Sequence, residues 1–169
     1  MILLDRPQNA LVANAAATAA VTNLVGASLN APANFLKAGQ VWAFRAPFTY
    51  LHTAAATPTL TLELAVAGAA IVAAVVTPVA AATTFHGMFE GFLTVRTVGA
   101  SGSVMGAVFI RSHGLTLANA ACEVAQVDTT ADTIDTTIAR LIELRARMTT
   151  AVASNTLTIS QGWCERLVG

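Results

Sequence analysis

The stretch FHGMFEGFLTVRTVGASGSVMGAVFIRS, Phe85 to Ser112, decides the fold class. It reads as two β-strands joined by a tight polar loop. Phe89, Gly91, Leu93, Val95 and Thr97 share one face of the first strand. Glu90, Thr94 and Arg96 take the other, and Phe92 is the exception. Period-two alternation of this kind marks a strand half buried against a core. Gly99 to Ser103 breaks the pattern, and Gly102 is expected to hold a positive-φ turn position. The second strand resumes with Val104, Gly106, Val108 and Ile110 on one face, and Met105, Ala107, Phe109 and Arg111 on the other. A hairpin alone is marginal in water, so further strands must complete the sheet.

The length of 169 residues suits one domain, which buries about 70% of the surface of its unfolded chain. Charged residues make up 11% of the chain, against a norm of about 25%. The formal net charge is zero and Lys37 is the sole lysine, so the chain lacks the basic footprint of a nucleic-acid binder. So few charges imply an exterior covered by other subunits or a partner; the alternative is an alanine- and threonine-rich monomer surface. Cys122 and Cys164 read as buried thiols of a protein made in a cytosol. Asp5 and Arg6 interrupt the start, so no secretory leader is expected there.

Leu64 to Ala82 carries no charge and is long enough to span a bilayer. Gly68 and Pro78 punctuate it, alanine dominates it, and the residues before it alternate strictly. The reading is therefore a strand to Ala67, a turn at Gly68 and a second strand near Ile71 to Thr77, with no membrane span.

Residues 1–20 lack a period and form an N-terminal arm, docked on a neighbour or disordered; residues 21–169 form the domain. Val21 to Leu24 is a short first strand and Gly26 to Asn34 a loop. Val41 to His52 is a strand with Trp42, Phe44, Phe48 and Tyr50 on one face, and Pro47 places it at an edge or a bulge. Leu115 to Val127 is a strand interrupted at Asn119 and Ala120. In Asp128 to Thr137 the aspartates lack the glycine and terminal glutamate of a calcium loop, and read as Asx turns. Ile138 to Met148 has helical composition but strand alternation, and reads as a strand. A turn at Ala153 to Asn155 precedes a last strand from Leu157 to Ser160, continued from Trp163 to Val168 after a bulge at Gly162. About eight strands without a firm helix predict an all-β, antiparallel β-sandwich of jelly-roll type.

Several runs resemble small virion structural proteins of tailed bacteriophages, of the jelly-roll decoration or cement type. They are Ala31 to Asn34 with Ala38 to Val41; Thr59 to Leu64; Leu93 to Val104; Ile134 to Thr137; and Ser154 to Ile159 leading to Glu165, Arg166 and Leu167. The resemblance is collinear from about Ala31 to Val168, and departs from the pattern at Leu141 to Arg147, where such proteins are rich in Val, Thr and Trp. It implies a capsid-surface protein of the virion, assembled as a homotrimer and bound to the major capsid protein. The alternative is a receptor- or carbohydrate-binding module of a tail fibre or head spike, for which Trp163 and Tyr50 are the candidate aromatics. The resemblance carries no catalytic motif.

The residues agree with that. His52, His86 and His113 each stand alone in their stretch, without a ligand at metal spacing. Gly99 to Ser103 lacks the Gly-Lys-Thr/Ser of a phosphate loop, and no serine occupies a nucleophile elbow. Glu90 and Glu143 read as solvated strand residues rather than a hydrolase pair. The expectation is a binding protein that is not an enzyme, with no catalytic, cofactor or metal site and no nucleic-acid or membrane partner.

Overall fold

A computed structural model describes residues 15–16, 24–52, 59–76, 83–113, 123–148, 155–159 and 161–168. Among these residues twelve strands run β1 (Ala15–Ala16), β2 (Leu24–Ala31), β3 (Val41–His52), β4 (Leu60–Val66), β5 (Ala69–Val76), β6 (Thr83–Thr97), β7 (Gly102–His113), β8 (Glu123–Val127), β9 (Asp132–Ile134), β10 (Arg140–Met148), β11 (Thr156–Ile159) and β12 (Trp163–Val168). No helix occurs among the described residues.

The strands form two antiparallel sheets. The larger has eight strands in the order β1-β11-β3-β6-β7-β8, with β12 also on β3 and β9 also on β7. The smaller has the order β2-β10-β4-β5. They stack face to face: β10 lies over β3 and β6, β4 over β6 and β7, and β5 over β7 and β8. The expected all-β antiparallel sandwich is therefore present. The strand count exceeds eight in part because the flanks of β3 and β7 are each built from two short strands and β1 adds to β11. Hairpins β4–β5 and β6–β7 stay within one sheet, whereas β2 to β3 and β9 to β10 cross between sheets. These orders establish a sandwich, and not the finer jelly-roll type.

Alternation places the core. Trp42, Phe44, Phe48 and Tyr50 of β3 are buried with Phe85, Phe89, Leu93, Val104, Val108 and Ile110 of the adjacent hairpin. Leu60, Leu62, Leu64, Ile142, Leu144 and Ala146 face them from the smaller sheet. Phe48 and Phe89 stack at 4.0 Å between ring centroids. Each fully buried side chain of this size contributes roughly 1.5–3 kcal/mol relative to exposure. The segment of mixed signals, residues 138–148, is the strand β10 from Arg140, placed between β2 and β4.

Three expectations change. Gly26 to Ala31 is not loop but most of β2. Gly26 is the extra residue of a bulge: Ala27 pairs with Leu144 and Val25 with Arg145. Its glycine marks that bulge, not a chain turn. Second, Gly99 has the positive φ, +118°, and Gly102 does not. Gly102 is small for another reason: a Cβ there would lie 2.8 Å from the Thr97 carbonyl oxygen and 3.0 Å from that of Ile134. Third, β3 is a central strand. Pro47 pairs with Met88 of β6 on one side. On the other side β12 reaches Arg45 and β11 begins at Phe48, so Ala46 and Pro47 fall in the gap between them. A residue without an amide proton is tolerated where the ladder is already interrupted. Of residues 1–20, expected as an arm, only Ala15 and Ala16 are described, and they pair with Leu157 and Thr156. The expected segments at residues 21–23, 53–58, 77–82, 114–122 and 149–154, with Cys122, lie outside the described residues. Cys164 is buried.

The turn between β4 and β5 has two residues, Ala67 at φ +50° and Gly68 at φ +85°. Two positive φ values are what a tight hairpin of this twist needs, and alanine is strained in the first. Ala67→Asn should therefore stabilise the protein by about 0.5–1 kcal/mol, read as a rise of a few degrees in melting midpoint. On the flank of the sandwich, a Cβ on Gly162 would fall 1.5 Å from the Gly26 carbonyl oxygen. Both partners there are backbone, so neither can yield cheaply. Gly162→Ala should cost about 3 kcal/mol or more, measured by denaturant unfolding; an unchanged midpoint would show that the two backbones do not touch.

Candidate binding face

The solvent side of the larger sheet carries residues that alternation alone leaves unexplained. Register places Trp163 of β12 opposite Arg45 of β3, Arg45 opposite Glu90 of β6, and Glu90 opposite Phe109 of β7. Directly opposed residues share a face, so these four form one row across the sheet. The adjacent row runs Glu165, Ala43, Phe92, Ala107 and Val127.

Charge in these rows is locked in pairs. Arg45 donates through Nε to Glu90 Oε1 at 3.0 Å and through Nη1 to Glu165 Oε1. Arg111 Nη1 lies 3.1 Å from Glu90 Oε2 as an ion pair without hydrogen-bond alignment. Glu165, Arg45, Glu90 and Arg111 thus form a chain of alternating sign and no net charge. The Glu90 side chain is only 10% exposed, so its neighbours shield it from water. The aromatic groups pack beside this chain. Phe92 and Phe109 meet edge to face at 5.7 Å and 81°, and the Arg111 guanidinium sits 5.9 Å from the Phe109 ring centroid. Such contacts hold aromatic faces in place next to water. Trp163, Phe92, Phe109 and Met88 are half-buried. The result is a neutral surface on which the Phe92 and Phe109 rings are held and the charges are paired.

Sequence reading treated Phe92 as an exception and did not connect it with Phe109. The signal was present: both break the apolar–polar rule, and folding the hairpin between Val95 and Val104 brings them to neighbouring rows. Tyr50, one of the two candidate aromatics, is instead fully buried, and burial pushes its phenol up to about 12. Trp163 is on the face. Glu90 and Glu143 are on different sheets, and Glu143 lies 3.9 Å from Arg145 on the smaller one. Arg145 also bonds Glu63 at 2.5 Å.

The histidines are not all isolated. His86 is register partner to His113, and its Nδ1 lies 3.1 Å from Thr49 Oγ1. His52 pairs in register with Thr83. No group of three or more metal-ligating side chains occurs among the described residues. Asp128 and Asp135 form the expected Asx turns, the Thr130 amide donating to Asp128 Oδ1 at 3.0 Å and the Thr137 amide to Asp135 Oδ1 at 2.9 Å, whereas Asp132 opens β9. Burial, then the Asp128 carboxylate, pushes the Asp132 carboxyl up. The Thr137 hydroxyl and amide hold the Asp135 carboxyl down, with help from Arg140.

No family model and no curated protein matches the chain. Among solved structures it is similar to the CBM2 module of the evolved Dit of Lactobacillus casei BL23 phage J-1. The identity is 8%, covering 95% of this chain and 76% of that one, with a TM-score of 0.42. The fold assignment rests on the sheets themselves.

Asp135 yields a pH prediction. Its folded carboxyl titrates below the ordinary value of 3.8. The stability it contributes is therefore present above that value and lost as pH falls through the folded value. Asp135→Ala should lower the unfolding midpoint at about pH 7, and the difference from wild type should shrink steadily as pH is taken down below 3.8. An equal deficit at every pH would mean that the carboxylate is not the cause.

Proposed function

We propose that this chain is a bacteriophage virion protein that works by binding, without turnover, and that its ligand-facing surface is the solvent side of the larger sheet. The observation that supports this reading is the row Trp163, Arg45, Glu90 and Phe109. Trp and Arg are the residue types over-represented among binding hot spots, and here they are neighbours in one row, with Arg45 already held by Glu90 and Glu165. Preorganised side chains lose little freedom on docking. The row has no net charge, which suits a large neutral contact better than steering of a charged ligand. The sequence resemblance to phage decoration proteins supplies the virion context.

In the finer form of this reading the protein decorates the head. Copies, grouped as a homotrimer, lay this face on the major capsid protein and bridge neighbouring capsomers of the assembled shell. A second reading is a carbohydrate-binding module of a tail or spike, favoured by one observation. Trp163 and Phe109 flank the Arg45–Glu90 pair three strand positions apart, about 14 Å at sheet spacing. Two rings flanking a hydrogen-bonding centre suit a short run of sugar rings.

The test uses the wild-type chain and the double variant Trp163→Ala, Phe109→Ala, with melting curves to establish that both fold. On the head reading, wild type co-sediments with empty shells and the variant binds them at least tenfold more weakly, a loss of about 1.4 kcal/mol or more. A folded variant that decorates shells as tightly as wild type removes the face from the mechanism. Retention of wild type on a glycan array, with no affinity for shells, selects the second reading.

A further inference from the structure

Register brings two histidines together on the larger sheet. His86 of β6 is directly opposite His113 of β7, and Thr49 of β3 is directly opposite His86 on its other side. By alternation this row takes the solvent side, two rows beyond the one that carries Arg45, Glu90 and Phe109. His86 is exposed, and its Nδ1 lies 3.1 Å from Thr49 Oγ1. That contact occupies one ring nitrogen and leaves Nε2 to the solvent. Imidazole is the commonest protein ligand for late first-row divalent metals, through an unprotonated ring nitrogen. Residues directly opposed across antiparallel strands have Cβ atoms about 4.5–5.5 Å apart. Metal–nitrogen bonds of about 2.0–2.1 Å put two imidazole nitrogens on one ion roughly 3 Å from each other. Rings rooted at opposed strand positions can converge to that spacing with no change of backbone.

We propose that His86 and His113 form a two-imidazole chelate for a late first-row divalent cation, Zn²⁺ or Ni²⁺, and that Thr49 orients the His86 ring within it. A metal-ligating histidine almost always donates its other ring N–H to an oxygen, which fixes the tautomer and the ring orientation. Thr49 Oγ1 stands where that acceptor is needed. With Nδ1–H donating to it, the Nε2 lone pair is the one that meets the metal. The nearby charges do not oppose a cation. Arg111, two residues before His113, is ion-paired with Glu90 Oε2 at 3.1 Å, and register sets Glu123 of β8 opposite it. Two protein ligands leave the other coordination positions to water, or to a carboxylate or imidazole of an incoming molecule. Local spacing hid the site, because each histidine stands alone on its own strand and only the register joins them. The proposal does not depend on what the row from Trp163 to Phe109 binds.

The test uses the full chain, freed of metal by a chelator and titrated by calorimetry with Zn²⁺ alone and with Ni²⁺ alone. His86→Gln and His113→Gln should each weaken binding at least tenfold. The double variant should bind little more weakly than either single one, because a chelate is lost when either ring goes. Thr49→Val should weaken binding about tenfold or more with both rings still present. Melting curves without metal establish that the variants fold. A measurement on wild type stands beside them: labelling with diethyl pyrocarbonate, read at each histidine by mass spectrometry. His86 and His113 should become protected together, over the metal concentrations at which calorimetry records binding. Should a histidine variant fail to fold, that labelling decides alone. The proposal is overturned by a wild type that takes up neither ion, by folded single variants that bind as tightly as wild type, or by protection of one ring alone or of neither. An unchanged affinity in folded Thr49→Val overturns the orienting role of Thr49.

Discussion

All twelve residues of β3 pair in unbroken register with β6, and the rest of the structure depends on that ladder. The register turns Trp42, Phe44, Phe48 and Tyr50 inward beside Leu93, Gly91, Gly87 and Phe85. By the same act it turns Arg45 outward beside Glu90. A slip of β3 by one residue would carry Arg45 into the core, away from Glu90, and the aromatic side chains of β3 into water. Each outcome costs several kilocalories, through desolvated charge on one hand and lost burial on the other. The aromatic core and the ion chain on the outer face therefore enforce the same register from opposite sides of one sheet.

Much of this was legible from alternation. The hairpin β6–β7, the strand β3 and the ambiguous β10 each show period two, and each is a strand at nearly the expected bounds. What alternation reports is which face a residue takes, and it is silent on what that residue meets across the strand. Phe92 with Phe109, Arg45 with two glutamates, and His86 opposite His113 are all products of register. Glycine and proline misled for a related reason. At Gly26 and Pro47 they mark a bulge and a gap in a ladder, features that require knowledge of the neighbouring strand.

The segments around Asn34, Gly39, Val95, Gly99 and Thr136 also have a physical role. Several of them meet at one end of the sandwich. The Asn34 amide donates to the Thr136 carbonyl, and the Thr136 amide to that of Gly99. The Gly99 amide donates to Thr136 Oγ1 at 2.8 Å, while Gly39 and Gln40 exchange backbone bonds with Val95. These segments tie the loops at that end to one another. The row on the outer face contains none of those tying residues.

The divided flank of β3 bears on how the chain comes to be folded. The hairpins β4–β5 and β6–β7 join residues close in sequence, so their contacts form at small entropic cost. One side of β3 waits for β6, and the other for residues 156–168, more than a hundred positions further on. On a ribosome, β3 would be complete long before its second flank exists. During that interval its backbone donors face solvent along one whole side. Alignment with the wrong strand is then the chief hazard, and Pro47, which offers no amide proton, interrupts any such template near its middle.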